Sequence, residues 1–304
     1  MATTRNLAQL FRALADKDVI GAASIATQIC KSEEQKGHRS AARLLRGALH
    51  ANGTNGAHTG NELSFAAMNG SSLVAAALAR LPTDVDLKHV ILATGVRREL
   101  DAVVIEWSKR DSLREHGLTP RSKLLFHGPP GCGKSLSARA LGKAMGIPAY
   151  VVRFDAVIGA YLGQTALHLR QLFNFAETNP CILLLDELDA LGKRRGNPLD
   201  VGELDRVVVA LLQELEHSRP QGLVIGTSNL AKHLDDALWR RFDLTLEFKT
   251  PSHTALSEFA KRVASEKQIK LPAMVLRRAT QAGNFADAES LVVAEARRQV
   301  LKGL

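Results

Sequence analysis

The chain has 304 residues, 45% of them hydrophobic, and a formal charge of +9. That length supports two or three domains with a real core, and the composition suits a soluble globular protein. No run approaches the roughly 18 apolar residues of a membrane span. The start, MATTRNLAQLFRALADKDV, lacks the apolar centre of a signal peptide, so a cytoplasmic location is expected. Three widely spaced cysteines, Cys30, Cys132 and Cys181, make neither a disulfide framework nor a zinc pattern. The positive balance permits a nucleic-acid or acidic partner without demanding one. Its arginines are scattered (Arg97, Arg98, Arg194, Arg195, Arg240, Arg241, Arg277, Arg278), with no block interleaved with aromatics.

Residues 1–50 read as helical. Leu7, Leu10, Phe11 and Leu14 recur at helical spacing, then Ile20, Ile25 and Ile29, then Ala41, Leu44, Leu45 and Ala48. Short connections imply a small antiparallel bundle, either a docking domain for a substrate or adaptor or an oligomerisation element. Residues 51–83 read as a linker rich in Gly and Asn, with a short helix over Ser71–Arg80 before Pro82. From Asp84 the character changes. Val85–Ala93 is a short apolar segment, and Gly95–His116 is one long helical pattern. Strand candidates follow at Leu124–Phe126, Ala149–Phe154, Cys181–Leu185, Gly222–Gly226 and Leu244–Phe248, separated by helical patterns. Such alternation predicts a parallel sheet covered on both faces over residues 84–250. After Pro251 only helices are predicted, Ala255–Gln268, Ala273–Ala282 and Ala286–Leu301, a small α-helical domain over 251–304.

The stretch LLFHGPPGCGKS, Leu124–Ser135, carries the first chemistry. A strand stops at Gly128-Pro129-Pro130-Gly131-Cys132-Gly133, Lys134 and Ser135 follow, and Leu136 continues into a helix. This is strand, phosphate loop and helix in the order that GxxxxGK[ST] requires. The glycines let backbone N–H groups turn inward, and the helix start adds partial positive charge. Lys134 can reach β/γ-phosphates, and the Ser135 hydroxyl can ligate Mg²⁺. The predicted fold is therefore an α/β P-loop NTPase sheet followed by an α-helical lid. Cys181, in an apolar strand, reads as core, and Cys132 as a small residue within the phosphate loop.

The second element is ILLLDELDAL, Ile182–Leu191. A buried strand delivers Asp186 and Glu187 to its carboxyl end, where α/β sheets bind ligands. Asp186 is assigned to Mg²⁺ and Glu187 to the attacking water; Asp189 reads as structural. The third element is the strand Leu223–Gly226 running into Thr227, Ser228 and Asn229, where the amide of Asn229 can hydrogen-bond the attacking water or the γ-phosphate.

Taken in order, GPPGCGKS, LLLDELDAL and GTSNL…LDDALWRRFD resemble the AAA ATPases, the last block resembling that family's second region of homology. The layout is close to the spastin and katanin branch and similar to bacterial single-ring AAA proteins. The resemblance covers about Asp84–Leu304 and implies an ATPase that uses ATP and Mg²⁺, assembled as a homo-oligomer, a hexamer in that family. It makes Asn229 a γ-phosphate sensor and Arg240 and Arg241 arginine fingers for the neighbouring subunit. It makes Tyr161, Leu162 and Gly163 a central-pore loop that grips a polypeptide, Glu203 and Arg206 ring-interface residues, and Gly117 part of the adenine surround. The family's lid turn is only partly matched by Gly283 and Asp287. The expected activity is remodelling, unfolding or translocation of a protein substrate, with any protease on another chain. The alternatives are a DNA- or RNA-associated loader, which the pore tripeptide disfavours, and a nucleotide-gated scaffold for a partner enzyme or toxin.

Overall fold

The computed structural model describes residues 72–157, 164–189, 201–230, 232 and 234–302, all within one unit, Met68–Leu304. The readings made on residues 1–50, on most of the linker, on Tyr161, Leu162 and Gly163, and on Arg194 and Arg195 lie outside the described residues, as do the side chains of Glu203 and Arg206.

Six strands form the sheet: β1 (Leu78–Leu81), β2 (Lys123–His127), β3 (Ala149–Val152), β4 (Ile182–Leu185), β5 (Leu223–Ser228) and β6 (Leu244–Glu247). Their spatial order is β1-β3-β4-β5-β2-β6. Every neighbouring pair is parallel except β1 on β3. The central strands are short apolar runs because both faces are covered. Their side chains alternate between two cores. Leu125, Leu183, Leu185 and Val224 pack on one face. Leu124, Phe126, Ile182, Leu184, Leu223 and Ile225 pack on the other. Each such side chain contributes about 1.5–3 kcal/mol through burial.

The first core is covered by α6 (Gln164–Thr178) and α7 (Val201–His217), the second by α2 (Thr94–Ser108) and α4 (Lys134–Met145). Two sequence expectations are corrected. Ser71–Arg80 is not one helix: α1 covers Ser72–Ala77, and the chain then enters β1, pairing Leu78 with Val152 and Leu81 with Ala149. The alanine-rich run reads as helix locally, but the open edge of β3 offers backbone partners that a helix could not use. The long pattern Gly95–His116 is also broken at Lys109, α2 ending at Ser108 and α3 covering Arg110–Glu115.

Two short helices, α5 (Phe154–Val157) and α8 (Asp236–Trp239), sit among the crossovers. After Pro251 the chain is helical, as expected: α9 (His253–Glu266), α10 (Ala273–Thr280) and α11 (Phe285–Lys302). They enclose a separate small core of Leu256, Ala260, Val263, Ala279, Ala288 and Val292. Ser252 caps α9 by accepting from the Ala255 N–H.

Candidate active site

The carboxyl ends of β2, β4 and β5 are neighbours, so the three stretches singled out from sequence meet at one edge of the sheet. After His127 the chain turns sharply. Gly128 has φ 137° and its N–H donates to Ser228 O at 3.2 Å. A Cβ there would lie 2.1 Å from the Phe248 carbonyl oxygen. Gly131 and Gly133 also have positive φ, 72° and 94°, which costs other residues about 1–2 kcal/mol. Pro129 and Pro130 stiffen the loop between Gly128 and Gly131. Cys132 is buried, its Sγ 3.7 Å from Pro130 O. Burial pushes its thiol above the usual range, which keeps it protonated and unreactive.

Lys134 opens α4 and is 6% exposed. Its ammonium donates to Gly128 O at 2.7 Å, Pro129 O at 2.8 Å and Asn229 Oδ1 at 2.8 Å. Burial holds its pKa below lysine's ordinary value, against the pull of Cys132, Asp186, Asp189 and Glu187. A cation satisfied only by neutral acceptors is ready to exchange them for a phosphate. The Lys134–Asn229 bond joins the phosphate loop to the tip of β5.

Ser135 Oγ donates to Asp186 Oδ2 at 3.2 Å. A hydroxyl and a carboxylate side by side beneath a phosphate loop are hard oxygen donors of the kind Mg²⁺ prefers, so these residues fit that ion. Asp186 also accepts a hydrogen bond from the Thr227 hydroxyl, and the Thr227 hydroxyl oxygen in turn accepts the Glu187 N–H at 3.0 Å. Glu187 itself has φ +56°, an uncommon conformation for a residue other than glycine. Its side chain is exposed to the cavity. Asp189 is buried and accepts the Asn229 N–H at 2.9 Å, in keeping with the structural reading of that acid.

Lys134, Ser135, Asp186, Glu187 and Asn229 line a cavity of about 390 Å³ with Pro130, Gly131, Gly133 and Leu136. Val90 and Ile91 give it an apolar lining, continued by Phe259, Phe285 and Ala286 of the lid, to which the lid also adds Arg262 and Glu289. Phe259 and Phe285 pack edge to face, centroids 5.0 Å apart. Such a wall suits a flat heterocycle. Gly117 does not line the cavity. It follows α3 with φ 72°, its N–H donating to Arg114 O at 2.9 Å, whereas Val90 and Ile91 line the cavity.

The lid touches the phosphate loop directly. Phe285 N–H donates to Gly131 O at 3.0 Å. Asn284 and Asp287 bond reciprocally, Asn284 Oδ1 accepting the Asp287 N–H at 2.8 Å and Asn284 Nδ2 donating to Asp287 Oδ2 at 2.9 Å. Asp287 thus helps fix the start of α11 rather than facing the cavity. Arg262 of α9 lines the cavity and donates to His89 O across the cleft. Thr227, Val90, Ile91, Phe259, Phe285 and Arg262 were not assigned roles from sequence. A buried hydroxyl at a strand end and apolar residues scattered over distant segments leave no motif.

Arg240 and Arg241 follow α8 and lie outside the cavity of their own chain. Arg240 is exposed, with no side-chain partner among the described residues, whereas Arg241 pairs with Glu216 at 2.9 Å. The preceding Trp239 packs edge to face on His127, centroids 4.9 Å apart. Burial lowers the His127 pKa.

Comparison with known proteins agrees with this geometry. Residues 124–250 match the model of the ATPase family associated with various cellular activities (AAA). The chain is 37% identical over 238 residues to the uncharacterized AAA family ATPase y4kL of Sinorhizobium fredii, covering 78% of this chain and 72% of that one. It is 31% identical over 227 residues to cell division control protein 48 homolog C of Arabidopsis thaliana, covering 68% of this chain but only 28% of that protein. Crystal structures of the FIGL-1 AAA domain share the fold. One has a TM-score of 0.60 at 18% identity, covering 77% of this chain and 80% of that chain. The other, in complex with ADP, has a TM-score of 0.58 at 19% identity, covering 74% and 77%. With the phosphate loop, the paired acids and the lid assembled around one cavity, and with a relative of this extent and identity, the chain belongs to the AAA family and is an ATP-hydrolysing enzyme.

Proposed function

We propose that the chain is one subunit of a homo-oligomeric ring, most simply a hexamer, that uses Mg-ATP hydrolysis to remodel, unfold or translocate a protein substrate. In this reading the backbone of Gly128–Gly133, Lys134 and Leu136 hold the nucleotide. Ser135 and Asp186 are the residues that would hold Mg²⁺, which when bound offsets phosphate charge. Glu187 accepts the proton of the attacking water, and Asn229, already bonded to Lys134, senses the γ-phosphate. Residues 84–250 form the catalytic domain and 251–304 the lid, with residues 1–50 a separate docking or assembly element.

One observation carries the need for a second copy: neither Arg240 nor Arg241 lines its own chain's cavity, and Arg240 is exposed and unpaired among the described residues. A guanidinium so placed can stabilise transferring phosphoryl only across a subunit boundary. Arg240 is the finger in this reading, and Arg241, tied to Glu216, holds the turn. The protein substrate rests on Tyr161-Leu162-Gly163, an aromatic, hydrophobic and glycine sequence between α5 and α6. An aromatic offers broad, sequence-tolerant contact at low entropy cost.

The test combines two variants. Mixing Arg240→Ala with Glu187→Gln subunits, each slow alone, is expected to restore part of the turnover at mixed interfaces. No recovery at any ratio overturns the shared site. Tyr161→Ala is expected to keep basal ATPase and lose its stimulation by an unfolded polypeptide. Stimulation by nucleic acid that survives Tyr161→Ala would replace the threading reading with a loader.

A further inference from the structure

Thr227 is 1% exposed, at the second-last position of β5. The parallel register pairs Leu185 of β4 with Gly226 of β5. One step further along both strands, Thr227 therefore faces the Asp186–Glu187 corner. Its single hydroxyl is used twice and with consistent polarity. The O–H donates to Asp186 Oδ1, and a lone pair accepts the Glu187 N–H at 3.0 Å. Glu187 is meanwhile held at φ +56°, a conformation that a long side chain leaves when nothing holds it. One buried oxygen thus bridges the carboxylate assigned to the metal and the backbone of the residue assigned as base.

We propose that Thr227 is a positioning residue for hydrolysis: its hydroxyl pins Glu187 in the left-handed backbone conformation and fixes the rotation of the Asp186 carboxylate. The assignment rests on the Mg-ATPase reading of the cavity. Ser135 reaches the same carboxylate at 3.2 Å on Oδ2, so Asp186 is held from two sides, one of them independent of the phosphate loop. Valine at position 227 keeps the shape and the β-branch but supplies neither bond. It leaves the Glu187 N–H without its acceptor, and Glu187 is released to the ordinary φ range. Nucleotide contacts from Gly128–Leu136 are untouched.

The experiment uses the full chain. Thr227→Val, Thr227→Ser and Glu187→Gln are compared with wild type for ATP turnover, KM, affinity for a fluorescent ATP analogue, and melting temperature. Thr227→Val is expected to lose about 10- to 100-fold in kcat, with KM and analogue affinity little changed. Thr227→Ser, which keeps the hydroxyl, is expected to recover most of the rate. Should Thr227→Val not fold, Thr227→Ala replaces it: Ala and Ser both lack the methyl group, and only Ala lacks the hydroxyl, so Ala alone should be slow. Wild-type kcat in Thr227→Val, or equal losses in Ser and Ala, overturns the inference. Wild-type turnover in Glu187→Gln removes the assigned base, and the inference with it, whatever Thr227 does.

Discussion

Gly128 and Gly133 share a positive φ but not a neighbourhood. At Gly128 a methyl group would stand 2.1 Å from a backbone oxygen of Phe248, which cannot swing aside, while at Gly133 nothing lies within 4 Å. Gly128→Ala is therefore expected to cost about 3 kcal/mol or more and to abolish nucleotide binding. Gly133→Ala should cost only the backbone term, about 1–2 kcal/mol. Urea unfolding midpoints separate the two, and equal losses would contradict the packing argument. Lys134→Ala removes the one cation at the centre of the loop and is expected to abolish binding of a fluorescent ATP analogue without lowering the melting temperature of the nucleotide-free chain. At this scale the sequence was most readable where spacing itself is the signal, as with Lys134, Ser135, Asp186 and Glu187. Thr227 stood out only as part of a strand tip, since its bonds depend on which strand lies beside it, and Gly117, at a helix end, does not line the cavity. The apolar wall of Val90, Ile91, Phe259 and Phe285 was hidden because no residue in it differs in type from ordinary core.

Among the elements, α2 is fastened to the approach of β2 by one arginine. Arg121 donates to Glu106 through its backbone N–H at 3.0 Å and through its guanidinium at 2.9 and 2.6 Å, with a further bond to Glu99 at 3.0 Å. Burial works to raise the Glu106 carboxyl, but the bonds from Arg121 outweigh it and leave it below the ordinary range. A carboxyl with a lowered folded pKa stabilises the fold above its unfolded value, near 4.3, and loses that contribution as pH falls through the folded value. Glu106→Gln is thus expected to cost about 1–2 kcal/mol at neutral pH. The gap from wild type should close progressively below about pH 4. Thermal melts across that range check it; a gap independent of pH would assign the loss to packing. The strands were legible because a run such as ILLL, buried on both faces, has few alternatives. β1 was not, since LARL after three alanines carries helical preference and becomes a strand only through the free edge of β3. The break at Lys109 was equally hidden, lacking any Gly or Pro to mark it.

At the scale of the whole molecule the nucleotide joins parts that the chain alone holds loosely. The lid has its own small core and reaches the sheet domain through a few contacts, among them Phe285 on Gly131 and Arg262 on His89. A ligand filling the cavity between them stabilises both. At 100 times its dissociation constant, an ATP analogue is expected to add about 2.7 kcal/mol to the folded state. That appears as a rise in melting temperature that Lys134→Ala abolishes. Among the described residues, no helix is long and apolar enough to cross a membrane.

The placement of Trp239 against His127 acquires an experimental use once the other tryptophan is located. The chain holds two. Trp107 donates through its indole N–H to Met145 O at 3.3 Å, at the last residue of α4. Trp239 meets the ring immediately before the phosphate loop, 4.9 Å between centroids. The loop and its helix are thus bracketed by two fluorophores, one at each end, without any label added. In Trp107→Phe, emission follows the end beside the start of the phosphate loop and Arg240; in Trp239→Phe it follows the far end of α4, where Trp107 of α2 bonds Met145. Stopped-flow traces from the pair would resolve whether a nucleotide moves the loop alone or shifts the whole helix as a rigid rod.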